Sequence, residues 1–247
     1  MTIQDTERSI RVTVIEEQMT LVQQQAQQVI IYENFVSDPF PKRKWFFQIY
    51  QVTKRIVDIC GAVVGLIVLG LLLPIVGFYI LCEDRGPIFY RQVRVGKDCH
   101  PFFCYKFRTM IVDADNYLAS HPDLMEKWRQ SGKIQDDPRI TRIGRFLRRT
   151  SLDELPQVIN VLRGELSLVG PRPIQFSELS AFGELVALRH AVKPGLTGLW
   201  QVSGRSNTDY EQRAILDCTY AVECSFLMDM MILMKTPSAV FHGMGAY

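Results

Sequence analysis

An uncharged apolar run of 24 residues, Ile59 to Cys82, constrains this 247-residue chain more than any other feature. A helix that spans a membrane needs about 20 consecutive apolar residues. Helices in the cores of soluble proteins seldom stay uncharged on every face over such a length. The run therefore predicts a membrane segment, and the alternative is a buried core helix.

Pro74 lies inside this run and has no backbone N–H to donate, so we expect it to break the helix. The part of the run before Pro74 would reach only about 22 Å, which is short of a hydrocarbon core of about 30 Å. Cytoplasmic flanks are enriched in Lys and Arg. Such residues occur on both sides of the run: Lys42, Arg43, Lys44, Lys54 and Arg55 before it, and Arg85, Arg91, Arg94 and Lys97 after it. The pattern favours a re-entrant helix with two cytoplasmic ends over a straight span.

The total charge excludes one class of partner. The 28 Lys and Arg residues nearly balance the 26 Asp and Glu residues, for a formal charge of +2. A chain this close to neutral does not bind nucleic acid through its overall field. The six cysteines form no C-x-x-C pair and no zinc-like cluster with histidine, which is typical of free thiols in a reducing compartment.

Three regions follow from the composition. Residues 1–40 are an N-terminal extension of uncertain order, residues 41–85 contain the basic and aromatic anchor with the membrane helix, and residues 86–247 form a more polar domain. Within this domain, Ile88 to Val95 and Pro101 to Phe107 predict a β-hairpin. Helical patterns follow at about 112–130, 155–162, 177–190, 210–224 and 226–234. We therefore expect an α+β fold that is mainly helical, with amphipathic helices at the membrane interface.

Five arginines lie within eleven residues that contain no acid: Arg139, Arg142, Arg145, Arg148 and Arg149. Several of them fall on one helical face, and guanidinium groups bind phosphate oxygens well. This spacing is compatible with a phosphate site. It is equally compatible with a solvated basic face or with contact to anionic lipid.

Two adjacent acids, Asp153 and Glu154, follow the arginines directly. One interpretation is a capping box, with Ser151 as the N-cap and Glu154 at the third helical position. Pro156 would then disrupt the first turns of that helix, and such conflicts between local rules are expected at functional sites. Because adjacent helical residues point in different directions, one acid could attack phosphorus while the other holds Mg²⁺.

Three loop-like segments place a further cation beside Pro, Gly or a strand end. Arg172 lies between Pro171 and Pro173, Arg205 ends the glycine-rich segment 193–205, and Lys106 and Arg108 lie where the hairpin ends. Ordinary turns or solvated charges are the alternative for each.

Together these motifs resemble the monotopic phosphoglycosyl transferases, the bacterial sugar transferases that begin glycan assembly on polyprenyl phosphate. The motifs occur in order from about Lys54 to Tyr247: residues 88–96, 106–110, 150–157, 167–173 and 194–205. Residues 1–40 lie outside the resemblance.

The resemblance implies an activity. A member of this family transfers a sugar-1-phosphate from a UDP-sugar to undecaprenyl phosphate and releases UMP, on the cytoplasmic face of the bacterial inner membrane. The resemblance makes residues 86–247 the cytoplasmic catalytic domain. It assigns the nucleophile to Asp153, which would form a covalent phosphosugar intermediate, and a Mg²⁺ ligand to Glu154. It assigns diphosphate binding to the cationic residues Lys106, Arg108, Arg148, Arg172 and Arg205, and the break of the membrane helix to Pro74.

The resemblance also bears on the substrate and the partners. The segments 200–206 and 236–247 are similar to members that handle hexose-1-phosphate, either galactose or glucose. A homo-oligomer and other glycan-assembly enzymes are further partners that such a protein could have. A non-catalytic membrane scaffold of a polysaccharide complex is the alternative function, and a spanning enzyme or transporter subunit is the alternative topology.

Overall fold

A computed structural model describes residues 44–131, 134–183, 185–203 and 210–241. The N-terminal extension predicted at residues 1–40 lies outside these residues. The described chain is mostly helical and has a small antiparallel sheet, which confirms the predicted fold class at that level. The division into three regions stays a prediction.

The first element, α1 (Lys44–Glu83), is a 40-residue helix that contains the whole apolar run. It is long and apolar enough to cross a membrane. The helix continues through Pro74, so the predicted break at this residue is not confirmed. Most of the large apolar side chains on its outer face are exposed, among them Val64, Ile67 and Leu71, which are 61–71% exposed.

The opposite face of α1 packs on the rest of the protein. One apolar cluster buries Ala62, Leu69, Val76 and Ile80 against the hairpin and the helix that follows the two adjacent acids, Asp153 and Glu154, here called the dyad. Polar contacts attach the N-terminal part of α1: Asp58 accepts hydrogen bonds from Ser167 Oγ at 2.9 Å and from Leu168 N at 2.8 Å. The helix is therefore both the apolar anchor and part of the core.

The predicted hairpin is confirmed. Strands β1 (Phe89–Val95) and β2 (Pro101–Phe107) pair antiparallel, with Phe89 opposite Phe107 and Val95 opposite Pro101. The 3-10 helix Lys97–Cys99 forms the turn between them. Two three-residue strands, β3 (Ser167–Val169) and β4 (Gly195–Thr197), form a second, parallel pair.

The remaining helices are α2 (Ala114–Ala119), α3 (Pro122–Ser131), α4 (Arg142–Thr150), α5 (Val158–Arg163), α6 (Leu185–His190), α7 (Leu199–Ser203), α8 (Tyr210–Glu223) and α9 (Phe226–Phe241). Most of them match the predicted patterns with shifted bounds, whereas α4 and α7 fall outside those patterns and α7 lies in a segment predicted as a loop. Two further 3-10 helices cover Leu152–Gln157 and Phe176–Phe182.

Candidate active site

The two adjacent acids lie on a 3-10 helix, and the capping-box interpretation is wrong. Ser151 has a left-handed backbone, with φ of 57°, and its side chain makes no cap hydrogen bond. It terminates α4, and the 3-10 helix Leu152–Gln157 begins at once with Pro156 inside it. Because a 3-10 helix has three residues per turn, neighbouring side chains diverge by about 120°. Asp153 and Glu154 therefore face different surroundings.

Glu154 is held by two cations from distant parts of the chain. Its Oε1 accepts from Lys106 Nζ of β2 at 2.7 Å and from Arg172 Nη2 at 2.8 Å. Burial alone would raise the pKa of Glu154, but the charges of Arg172 and Lys106 outweigh burial, and the pKa lies far below its ordinary value. Glu154 is thus ionised at any physiological pH.

Asp153 is buried, with 8% of its surface exposed, and it has a different environment. Its nearest cation is Lys106, whose Nζ lies 3.8 Å from Oδ2, beyond hydrogen-bond distance. Among the described residues, none donates a hydrogen bond to this carboxylate. Burial raises its pKa, and the charge of Lys106 opposes this rise. A carboxylate without a hydrogen-bond donor keeps its lone pairs available for attack on an electrophile.

Arg148 approaches the site from α4. Its Nε donates to Thr109 Oγ1 at 2.9 Å, and burial lowers the pKa of its guanidinium while the charge of Asp153 raises it. The local chain makes this approach possible, because Gly144 packs directly on the backbone of Thr109, where a Cβ would overlap. Lys106 and Arg172 thus contact Glu154, and Arg148 lies close enough for its charge to act on Asp153.

The structure places Arg108 elsewhere. Its guanidinium is buried and donates to Asp84 Oδ2 at 2.6 Å and to the carbonyls of Asp84 and Pro87. These contacts join the end of α1 to the hairpin and do not involve the dyad. Arg205 lies outside the described residues.

The other arginines of the cluster divide into two groups. Arg139 is buried against Asp137 at 2.7 Å, whereas Arg142, Arg145 and Arg149 are exposed on α4. Of the five, Arg148 is the one whose charge acts on Asp153.

The family model described as "Bacterial sugar transferase" matches residues 49–243. The chain belongs to the bacterial sugar transferases. It is therefore an enzyme, a transferase.

This bacterial sugar transferase is similar to relatives of comparable length and to relatives that are much longer. An "Exopolysaccharide production protein ExoY" of Sinorhizobium fredii is 42% identical over 200 residues, which cover 79% of this chain and 88% of the relative. Longer relatives match over less of their length. An "Undecaprenyl-phosphate galactose phosphotransferase" of Salmonella typhimurium is 43% identical over 78% of this chain and 41% of its own. A "UDP-glucose:undecaprenyl-phosphate glucose-1-phosphate transferase" of Escherichia coli is 37% identical over 80% of this chain and 42% of its own. The transferase thus spans under half the length of these two.

Sequence reasoning missed two charged residues behind the site. Arg189 of α6 and Asp217 of α8 form an ion pair at 2.9 Å, and their side chains are 1% and 2% exposed. Arg189 also donates to the backbone carbonyl of Arg172. The available signal was Asp217 itself, a single acid in the apolar stretch from Ala214 to Ala221.

The donor set suits a divalent cation that arrives with its substrate. Among the described residues, no group of three or more His, Cys, Asp or Glu side chains could enclose a metal. Mg²⁺ usually binds through one or two carboxylates together with substrate phosphates and water. Glu154 Oε2 accepts one hydrogen bond from the described part of the chain, a long one from Arg172 Nη1 at 3.5 Å. This oxygen is the one that fits a Mg²⁺ ligand.

Proposed function

We propose that this transferase moves a hexose-1-phosphate, glucose or galactose, from a UDP-hexose to undecaprenyl phosphate and releases UMP. This reaction would be the first membrane step in the assembly of an exopolysaccharide, O-antigen or capsule. The observation that carries the proposal is the asymmetry of the dyad: Glu154 is bound by two cations, whereas Asp153 receives no hydrogen bond from the described residues. The names of the galactose and glucose relatives support the donor and the acceptor.

In the proposed reaction Asp153 is the nucleophile. A carboxylate oxygen forms a bond to the phosphorus that carries the sugar, and the bond from that phosphorus to the bridging oxygen breaks, so UMP leaves with the electron pair. A phosphate oxygen of undecaprenyl phosphate then attacks the same phosphorus. The bond to Asp153 breaks, and the carboxylate is regenerated.

The cations around the dyad suit the charge that this reaction moves. Lys106 lies between the two acids, 2.7 Å from Glu154 and 3.8 Å from Asp153. It can therefore shift from Glu154 to a phosphate oxygen without leaving the site. Arg172 binds the same Glu154 oxygen and offers a planar fork of donors to phosphate. Both groups stabilise negative charge on the departing UMP.

Glu154 has a second role in this proposal. In the structure the Glu154 carboxylate binds Lys106 and Arg172, the two cations that a diphosphate would need. A bound diphosphate would draw Lys106 and Arg172 away and leave the Glu154 carboxylate for Mg²⁺. When bound, the ion would neutralise charge on the diphosphate.

The nucleophile assignment is tested by substitution of Asp153 with Asn. UDP-glucose and UDP-galactose are supplied without acceptor, the reaction is quenched in acid, and the mass of the intact protein is measured. We expect a phosphohexose adduct on the wild type and none on Asp153→Asn, with Asp123→Asn, an exposed site on α3, as the matched control. UMP release by Asp153→Asn at the wild-type rate would contradict the assignment. Failure of the wild type to release UMP from any UDP-sugar would favour the scaffold alternative.

We also propose that α1 is re-entrant and places both of its ends on the cytoplasmic face of the inner membrane. Asp58 and Glu83 flank the apolar run, and 25 residues of straight helix would separate them by about 38 Å. Both residues nevertheless bind the same domain, Asp58 through β3 and Glu83 through the N-terminus of α4. This attachment at both ends of the apolar run supports re-entry. The exposed Phe226 and Leu227 of α9 extend the apolar surface beyond α1.

Topology is tested with thiols placed at the two ends. Gln48→Cys and Arg85→Cys are made at exposed positions, in a background where Cys60 and Cys82 are replaced by Ala. In intact cells, we expect a membrane-impermeant maleimide to leave both sites unlabelled until the inner membrane is opened. Labelling of one site alone in intact cells would indicate a straight span.

A further inference from the structure

The Arg189–Asp217 pair lies behind the dyad, and the proposed mechanism does not use it. Asp217 Oδ2 accepts a hydrogen bond from Arg189 Nε at 2.9 Å, and Arg189 Nη2 lies 2.9 Å from the same oxygen in the ion pair. With 1% and 2% of their side chains exposed, both groups have lost almost all contact with water. Buried ion pairs often contribute little net stability, because the cost of desolvation offsets their attraction. Stability alone is therefore a weak reason for this pair.

The guanidinium of Arg189 connects the pair to the active site. Nη2 donates to the backbone carbonyl of Arg172, and Nη1 lies 3.2 Å from His190 Nε2. The ring of Phe182 lies beneath the guanidinium, 4.8 Å from its central carbon. Every nitrogen of Arg189 thus has a partner, and its position is fixed from several sides.

The contact with Arg172 is one of three that fix consecutive carbonyls. The carbonyl of Pro171 accepts from Gly195 N at 2.8 Å, and that of Pro173 accepts from Arg94 Nη1 at 3.3 Å. The carbonyl between them is the one that Arg189 binds. Pro173 also restricts the backbone of the residue before it. The backbone of Arg172 is thereby fixed, and its side chain extends to Glu154.

Resting on the function proposed above, we propose that the Arg189–Asp217 pair is a positioning pair for Arg172. Asp217 orients the guanidinium of Arg189, which holds the Arg172 carbonyl and so sets where the Arg172 guanidinium meets Glu154 and the donor diphosphate. The ligand class served in this way is a nucleoside diphosphate. Neither Arg189 nor Asp217 touches the substrate.

A double-mutant cycle distinguishes positioning from general support of the fold. The full-length protein in detergent is compared as wild type, Asp217→Asn, Arg172→Gln and the double variant, with UDP in Mg²⁺ buffer as the probe for binding. We expect Asp217→Asn to weaken UDP binding about five- to tenfold, in the range that coupled neighbours produce. In the Arg172→Gln background the same change should weaken it less than about twofold, because the group being positioned is gone.

The matched control is Asp229→Asn, which breaks a different buried ion pair, Lys54–Asp229 at 2.8 Å. Its effect on UDP binding, whatever its size, should be the same with and without Arg172. If the effects of Asp217→Asn and Arg172→Gln on UDP binding were additive, as those of the control and Arg172→Gln should be, the positioning role would be overturned.

A second readout needs no ligand. The melting temperatures of the same four proteins form a cycle of their own, in which we expect Asp217→Asn and Arg172→Gln to be non-additive. Additive melting temperatures would contradict the positioning role even if UDP did not bind. A wild type that binds UDP and shows both couplings, yet releases no UMP, would refute the proposed function alone.

Discussion

Asp58 is one of the polar residues that attach the apolar helix α1 to the domain, and its two hydrogen bonds allow the effect of its removal to be predicted. Asp58 is 4% exposed, and its Oδ1 accepts from the fully buried Ser167 hydroxyl and from the Leu168 amide. Hydrogen bonds to a charged group contribute about 1.5–3 kcal/mol each, and a buried donor left without a partner is costly. Asp58→Ala should therefore destabilise the folded protein by about 3–5 kcal/mol.

The assay is thermal unfolding of the purified protein in detergent. For a chain of this size, about 1 kcal/mol corresponds to about 2–4 °C, so we expect Asp58→Ala to lower the melting temperature by about 6–20 °C. Asp58→Asn should lower it less, because the amide oxygen can still accept both hydrogen bonds. Glu223→Ala, which removes an exposed carboxylate at the end of α8, is the control and should change the melting temperature by less than about 2 °C.

A loss below about 2 °C for Asp58→Ala would refute this reasoning. It would mean that the two donors find water or other partners once the Asp58 carboxylate is removed. The result matters for the site as well, because β3 leads directly through Gly170 and Pro171 to Arg172.

Three further predictions follow from local packing and burial. Gly144→Ala should destabilise the fold by about 3 kcal/mol, seen as a lower melting temperature, because the new methyl group overlaps the backbone of Thr109. Burial raises the pKa of Cys104 to about 11, so this thiol should resist iodoacetamide at pH 7.5 and react once the chain is denatured; equal rates in both states would contradict this. Burial raises the pKa of Asp217 to about 6 from 3.8 and lowers that of His190 to about 3 from 6.5. Asp217 therefore contributes stability below about pH 4 that is lost as the pH rises through 6, and His190 contributes stability above 6.5 that is lost as the pH falls towards 3. As the pH rises from 4 to 6, the melting temperature of the wild type should fall relative to that of Asp217→Asn. As the pH falls from 6.5 to 4, the melting temperature of the wild type should fall relative to that of His190→Asn. A variant with the same pH profile as the wild type would refute the assignment of its residue.

The elements that could be predicted from sequence are those with local signals. The hairpin has aromatic and branched residues in both strands around a Gly-Lys-Asp turn, and it occurs where that pattern placed it. The apolar run is one helix because its composition requires a helix in an apolar environment. Pro74 did not end this helix in the structure, which shows that a proline marks a weak point rather than a certain end.

The contacts that could not be predicted are those between residues distant in the sequence. Arg108 stands beside Lys106 in one motif, but its partner Asp84 is 24 residues away, beyond the end of α1. Lys54 and Arg55 matched the pattern of a cytoplasmic flank, yet Lys54 binds Asp229 and Arg55 binds the carbonyls of Val161 and Leu162. A count of charges near a membrane segment cannot separate cations that face solvent from cations that bind the fold.

The dyad shows why such distant contacts decide function. Asp153 and Glu154 are adjacent and chemically similar, so the sequence alone gives them nearly the same electrostatics. The left-handed Ser151 and the 3-10 helix turn one of them towards Lys106 and Arg172 and leave the other without a donor among the described residues. If both carboxylates were bound by cations, neither would be free to attack phosphorus; if neither were, the diphosphate would meet two uncompensated negative charges. The proposed chemistry therefore requires the asymmetry, which arises from residues 48 positions before Glu154 and 18 positions after it.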